Sequence, residues 1–209
     1  CGPGLANGLA NLHNARRANS PIINLIGDQA TYHDPLDPPL SADTEGWARP
    51  VSRWTRTALD ARTVGRDGAL AVQASQESPG GVVSLILPSD VCWDEGAAVA
   101  DPLAPAPPPR VDELALEQAV ALLRNGKPTA LLLGGKALRA DPLARAAAIA
   151  EATGAALIAP PHNARIERGA GRCAVKRIPY ALDQAAAVLV GIANIILIGA
   201  RRPVGFFAY

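Results

Sequence analysis

Runs of four to six mostly apolar residues recur along the chain, separated by stretches whose apolar residues repeat at helical spacing, and this alternation constrains the fold more than any other feature. Residues 22–26, 82–87, 130–133 and 194–198 are each too short for an ordinary helix and lack the in–out alternation of a half-exposed strand. They read as strands covered on both faces, the pattern of a parallel sheet. Ahead of the first run, Leu5, Leu9 and Leu12 share one helical face while Asn7, Asn11 and Asn14 lie on another, predicting an amphipathic helix that ends near Arg17. Strand after helix after strand implies right-handed crossovers and an α/β fold.

Further elements follow the same logic. A short helix is predicted over 45–48, a strand over 52–57 and a helix over 64–76. Asp112 is placed to cap a helix with Leu116, Ala119, Val120 and Leu123 on one face, closed by Asn125-Gly126. Asp141-Pro142 reads as an N-cap followed by proline at the first helical position, and Gly154 as the left-handed end of that helix. Residues 156–158 predict a strand, and residues 180–190 contain a helix leading to the strand at Ile195. Pro35, Pro38 and Pro39 make residues 28–43 a loop beyond a strand's carboxyl end, where ligand-contacting groups are commonly found. Pro102, Pro105, Pro107, Pro108 and Pro109 mark a stiff linker over 96–111. The expectation is two doubly wound parallel-sheet domains, both incomplete. The glycine turn Gly2-Pro3-Gly4 at the start, the absence of methionine and a last strand without a closing helix read as cuts through folded structure, that is, a piece of a larger protein.

Composition narrows the function. A net charge of +1 with no basic block, and only eight aromatic residues, supply neither the phosphate-neutralising stripe nor the stacking platform of a nucleic-acid binder. No apolar run approaches the roughly 20 residues of a membrane span. Cys1, Cys92 and Cys173 lack partners at metal-ligand spacing and read as small buried hydrophobes of a reducing, cytoplasmic compartment.

Gly134-Gly135-Lys136 follows a strand, but Ala137 stands where a phosphate-binding loop needs Ser or Thr, and no G-x-G-x-x-G is present. The glycine pair reads as a tight turn that can still offer backbone N–H groups to a nucleotide. His33, beside Tyr32, Asp34 and Gln29 in the Pro-rich loop, is either an acid–base group or a loop polar group of no special role. His13 reads as a surface or packing residue and His162 as a capping one. Asp43 and Glu45 could form a carboxylate pair, although helix capping by Asp43 accounts for them more simply.

The order and spacing of Gly2-Pro3-Gly4-Leu5-Ala6-Asn7, Leu12-His13-Asn14-Ala15-Arg16-Arg17, Gly27-Asp28-Gln29-Ala30-Thr31-Tyr32-His33 and Ile86-Leu87-Pro88-Ser89-Asp90-Val91 resemble the thiamine diphosphate enzymes of the acetolactate synthase and benzoylformate decarboxylase group. The resemblance implies that residues 1–95 are the later part of the pyrimidine-binding domain and 112–209 a truncated central domain, with 96–111 between them. It implies a cytoplasmic, homo-oligomeric (dimeric or tetrameric) carboligase or decarboxylase of 2-keto acids, serving branched-chain amino acid biosynthesis if it is a synthase. The alternatives are a benzoylformate decarboxylase-type enzyme without FAD and, from another class, a non-catalytic nucleotide-binding or assembly module. By the same resemblance Pro3, Gly4 and Asn7 border the cofactor's aminopyrimidine, Gln29 lies near the cofactor and substrate, and Phe207 projects toward the substrate; His33, placed in the same loop as Gln29, is the other candidate substrate-facing residue. The family's ylid-forming glutamate would precede Cys1, and its Mg²⁺- and diphosphate-binding motif would follow Tyr209. No catalytic residue and no metal ligand is therefore assigned within the segment, which is expected to be inactive alone. Of the family's FAD-binding stretches only Gly134-Gly135 and Gly199-Ala200-Arg201 have counterparts; the acidic pair is replaced from Arg202 onward, which argues against FAD.

Overall fold

The computed structural model describes residues 1–205 and Phe207. The chain divides into two units, Cys1–Pro108 and Pro109–Tyr209, each built on its own all-parallel sheet.

The first unit runs α1 (Gly2–Arg17), β1 (Ile22–Asp28), α2 (Thr44–Ala48), β2 (Trp54–Thr57), α3 (Val64–Gln76), β3 (Val82–Pro88) and α4 (Ser89–Trp93). Strand order is β1-β3-β2, so the last strand slots between the other two and is the buried one. Alternate β3 side chains feed opposite layers. Ile86 joins Leu5, Ile26 and Ala48 beneath α1 and α2, while Leu85 joins Ala58 and Val91 on the other face. The amphipathic spacing of Leu5, Leu9 and Leu12 thus does what it predicts, turning one side of α1 onto the sheet.

Three local expectations change. Gly2-Pro3-Gly4 is the first turn of α1 rather than a turn preceding it, because proline is tolerated where helix N–H groups have no partner anyway. β1 is an edge strand, with Ile23 and Leu25 exposed, so it is not covered on both faces. The Pro-rich segment lies along α3 as far as Ala104, whose carbonyl accepts from Gln73 Nε2 at 2.6 Å, while Gly65 leaves room for the Ala98 carbonyl.

A buried charge ties β2 to α3. The Asp67 carboxylate is 1% exposed, with Oδ1 2.9 Å from Arg56 Nε and Oδ2 accepting from the Thr63 hydroxyl at 3.3 Å. Oδ1 receives no hydrogen bond from the guanidinium, so the contact is ionic.

The second unit runs α5 (Glu113–Arg124), β4 (Thr129–Leu133), α6 (Ala140–Thr153), β5 (Ala156–Ala159), β6 (Lys176–Arg177), α7 (Leu182–Leu189) and β7 (Asn194–Ile198). Strand order is β6-β5-β4-β7. Leu131 and Leu133 pack with Leu143 and Ala146 of α6, and Ala130 and Leu132 face Ala185, Val188 and Leu189 of α7, so helices cover both faces of β4. Asp112 caps α5 through the Leu114 N–H, and Gly154 ends α6 at φ +71°, as expected. Arg139, not Asp141, is the N-cap of α6, which begins a residue before Asp141-Pro142. Leu116 and Val120 of the predicted apolar face of α5 remain exposed. The two-residue β6 has too little sequence to announce itself. Cys92 is exposed and Cys1 and Cys173 half-buried, so the cysteines are not the buried hydrophobes expected.

Candidate functional site

Three stretches of the first unit meet beyond the carboxyl end of β1. The Cys1 nitrogen donates to the Gly27 carbonyl, and the Gln29 side chain donates from Nε2 to the Pro39 carbonyl at 2.9 Å while lying 4.0 Å from Cys1 Sγ. The Gln29 N–H in turn donates to Asp28 Oδ1 at 3.0 Å. The start of α1 is thereby pinned to the strand end and to the tip of the Pro-rich loop.

On α1, Pro3, Gly4 and Asn7 stand at i, i+1 and i+4 and so share a face. All three are exposed, and they lie opposite Leu5 and Leu9, which point into the core. Gly2 is buried against Ala42 and Trp47, which fixes how the helix leaves the loop. At Gly4 no atom outside its chain neighbours and the helix's own nearby backbone lies within 4 Å of the place a Cβ would occupy, leaving an open patch on the same face as Asn7. A flat heteroaromatic ring can approach glycine backbone closely, and an amide can donate to and accept from its polar edge. The donor set therefore fits one edge of an aminopyrimidine.

The loop that carries Gln29 and His33 is clamped from outside. Asp90, at the start of α4, accepts from the Thr31 N–H at 3.1 Å through Oδ1 and from the Thr31 hydroxyl through Oδ2. The Thr31 hydroxyl chiefly, with desolvation opposing and backbone N–H groups adding, holds the Asp90 carboxyl below the usual carboxylate range. These residues are 59 apart in sequence, and no local signal pairs them. His33 is exposed, and its N–H donates to the Ala30 carbonyl at 2.8 Å where the short 3-10 turn Asp34–Leu36 begins. Phe207 belongs to the second unit and is 54% exposed, near Gly205 where that residue nears Leu182. Phe206, Ala208 and Tyr209 lie outside the described residues.

Other candidates resolve into structure. Asp43 caps α2, accepting from the Gly46 N–H at 2.8 Å, and Glu45 pairs with Arg49 at 2.6 Å, so the two carboxylates do not form a catalytic pair. His13 lines an apolar groove of about 610 Å³ between α1 and the α2 region, with Leu9, Trp47 and Val51. Among the described residues no three His, Cys, Asp or Glu side chains converge as metal ligands.

No family model matches the chain. It is 46% identical over all 209 residues to the "Putative acetolactate synthase large subunit IlvX" of Mycobacterium tuberculosis, and the identity runs through both units. The chain is thus similar along its whole length to an acetolactate synthase-like protein, and it spans 40% of that relative's length. Two solved structures share its fold. A "putative thiamin diphosphate-dependent enzyme" from Mycobacterium smegmatis superposes with a TM-score of 0.71 at 24% identity, over 93% of this chain and 38% of its own. The thiamine diphosphate-dependent 4-hydroxybenzoylformate decarboxylase of Rhodococcus jostii RHA1 gives 0.72 at 20%, over 97% and 39%.

Proposed function

We propose that the chain supplies the aminopyrimidine-binding edge of a cytoplasmic, homo-oligomeric, thiamine diphosphate- and Mg²⁺-dependent carboligase or decarboxylase acting on 2-keto acids, with acetolactate synthase chemistry as the leading reading. The observation that carries it is the 46% identity to the M. tuberculosis relative over the full length of this chain. The exposed stripe of Pro3, Gly4 and Asn7 adds a local reason, since nothing else in the first unit uses it.

The chemistry supplied by bound thiamine diphosphate is a nucleophilic carbon for addition to a keto group. On the protein side, Gly4 would give a close approach for the ring and Asn7 would fix its orientation through the polar edge. Gln29 is held in place by Pro39, so its amide oxygen stays available to a ligand beyond β1. Asp90 keeps the loop bearing Gln29 and His33 against α4, which would limit how far His33 can move when a ligand is bound. The 209 residues include no group assigned to proton abstraction or Mg²⁺ binding, and by themselves they are expected to turn over no keto acid.

The test is turnover by the full-length protein with thiamine diphosphate and Mg²⁺, offered pyruvate and, separately, aromatic 2-keto acids. Carboligation of pyruvate supports the synthase reading, and decarboxylation of the aromatic acids alone would shift it to a benzoylformate-type enzyme. Absence of cofactor-dependent turnover of any keto acid overturns both. Asn7→Ala is expected to weaken thiamine diphosphate binding about tenfold, the worth of one hydrogen bond to a polar ring edge.

A further inference from the structure

Residues 101–112 take no regular structure, and every one of them is exposed. They belong to neither sheet and to no part of the candidate site. Proline nevertheless leaves their backbone little freedom. From Ala104 to Pro109 every residue is a proline or precedes one, so φ is fixed at about −65° at Pro105, Pro107, Pro108 and Pro109, and the helical region is closed to Ala104, Ala106, Pro107 and Pro108. The conformation that remains is polyproline II, with about three residues per turn.

The backbone of this stretch is as open as its side chains. Among the described residues no backbone–backbone hydrogen bond involves residues 95–111, and the one carbonyl there that accepts from a side chain is that of Ala104, bonded by Gln73 Nε2 at 2.6 Å. Gln73 thus anchors the start of the stretch to α3 and leaves the carbonyls from Pro105 onward uncommitted. Arg110 forms no ion pair among the described residues.

Threefold winding sorts the side chains into ridges. Pro102, Pro105 and Pro108 fall on one, Ala104, Pro107 and Arg110 on the next, and Leu103, Ala106 and Pro109 on the third. The first two ridges present two successive pairs, Ala104-Pro105 and Pro107-Pro108, followed by a cation in line with Ala104 and Pro107. A spacer needs stiffness alone and has no use for this register or for Arg110. Asp101 lies at the other end, so the ends carry opposite charge, and only one direction of docking brings the guanidinium to a carboxylate.

We propose that residues 104–110 are a docking segment for a partner protein, one whose groove takes the two proline pairs between aromatic rings and closes on Arg110 with a carboxylate. Recognition of this kind uses an extended proline helix whose shape is set before binding, so little conformational freedom is lost in the complex. The planar guanidinium suits a bidentate carboxylate contact, and the uncommitted carbonyls suit donors at the rim of the groove. The inference does not rest on the thiamine diphosphate reading and is tested without turnover.

The experiment is calorimetric titration of the full-length protein with an isolated SH3 domain that selects P-x-x-P-x-Arg peptides, a groove of this chemistry. Saturable binding of one domain per chain is expected. Arg110→Glu and the double variant Pro105→Ala/Pro108→Ala are each expected to weaken it at least tenfold, the first by setting a carboxylate against a carboxylate and the second by emptying both pockets. Ala106→Gln, on the third ridge, is expected to bind within twofold of wild type. Because the altered side chains are exposed, far-UV circular dichroism is expected to be the same for the wild type and all three variants. The proposal is overturned, leaving the segment a spacer, if the wild type does not bind, if Arg110→Glu or the double variant stays within twofold of it, or if Ala106→Gln weakens binding as much as they do.

Discussion

The Arg56–Asp67 pair should respond very unequally to the loss of either partner. Asp67 is 1% exposed and Arg56 46%, so the two members face different alternatives when separated. At 2.9 Å and an effective dielectric constant of about 20, the gross attraction is about 6 kcal/mol, most of it cancelled by the desolvation of the carboxylate. Arg56→Met leaves that carboxylate buried with only the Thr63 hydroxyl, and breaking a buried pair in this way costs about 3 kcal/mol. Asp67→Asn removes the buried charge itself and lets the half-exposed guanidinium turn to water, so the loss falls to about 1 kcal/mol. The double variant should resemble Asp67→Asn, because the stranded charge is gone. Urea unfolding followed by tryptophan fluorescence reads this cleanly, since Trp47, Trp54 and Trp93 all lie in the first unit. Equal losses for the two single variants, or a larger loss for Asp67→Asn, would refute the view that the carboxylate's burial governs the pair.

Three further outcomes are expected. Gly199→Ala forces a side chain into a left-handed residue with its Cβ 2.7 Å from the Gly134 oxygen, so the second unit should lose about 2 kcal/mol or more, read by far-UV circular dichroism in denaturant. Leu132→Ala, at a fully buried position of β4, should cost about 2–5 kcal/mol by the same measurement, and a loss under 1 would mean that α7 does not seal that face. Because the Asp90 carboxyl titrates below its unfolded value, its contribution is present above that unfolded value and fades as the pH falls through the folded one. Hydrogen exchange at the Thr31 amide should therefore show protection at neutral pH that is lost in acid, and Asp90→Ala should remove it at every pH.

Much of the architecture was legible because local signals and burial agree. The apolar runs at 82–87 and 130–133 became β3 and β4, the central strands, and the leucine spacing in α1 and the glycine after α6 marked a buried face and a helix end. Edge position was not legible, since residues 22–26 have the composition of an inner strand and only the order β1-β3-β2 leaves Ile23 and Leu25 uncovered. Likewise helical spacing put Asn7 on the polar face of α1, but Pro3 and Gly4 joined that helix only in the structure, and the Thr31–Asp90 clamp joins residues whose side chains carry no mark of each other.

By itself the sequence determined the α/β alternation, the elements and most of their ends, because helix periodicity, proline and capping act over a few residues. Tertiary structure alone decided which strand sits at an edge and which carboxylate is buried. Those outcomes depend on which distant segments become neighbours. The touching of Gly134 and Gly199 is the sharpest case, for residues 65 apart meet only when β7 pairs with β4 on the side away from β5.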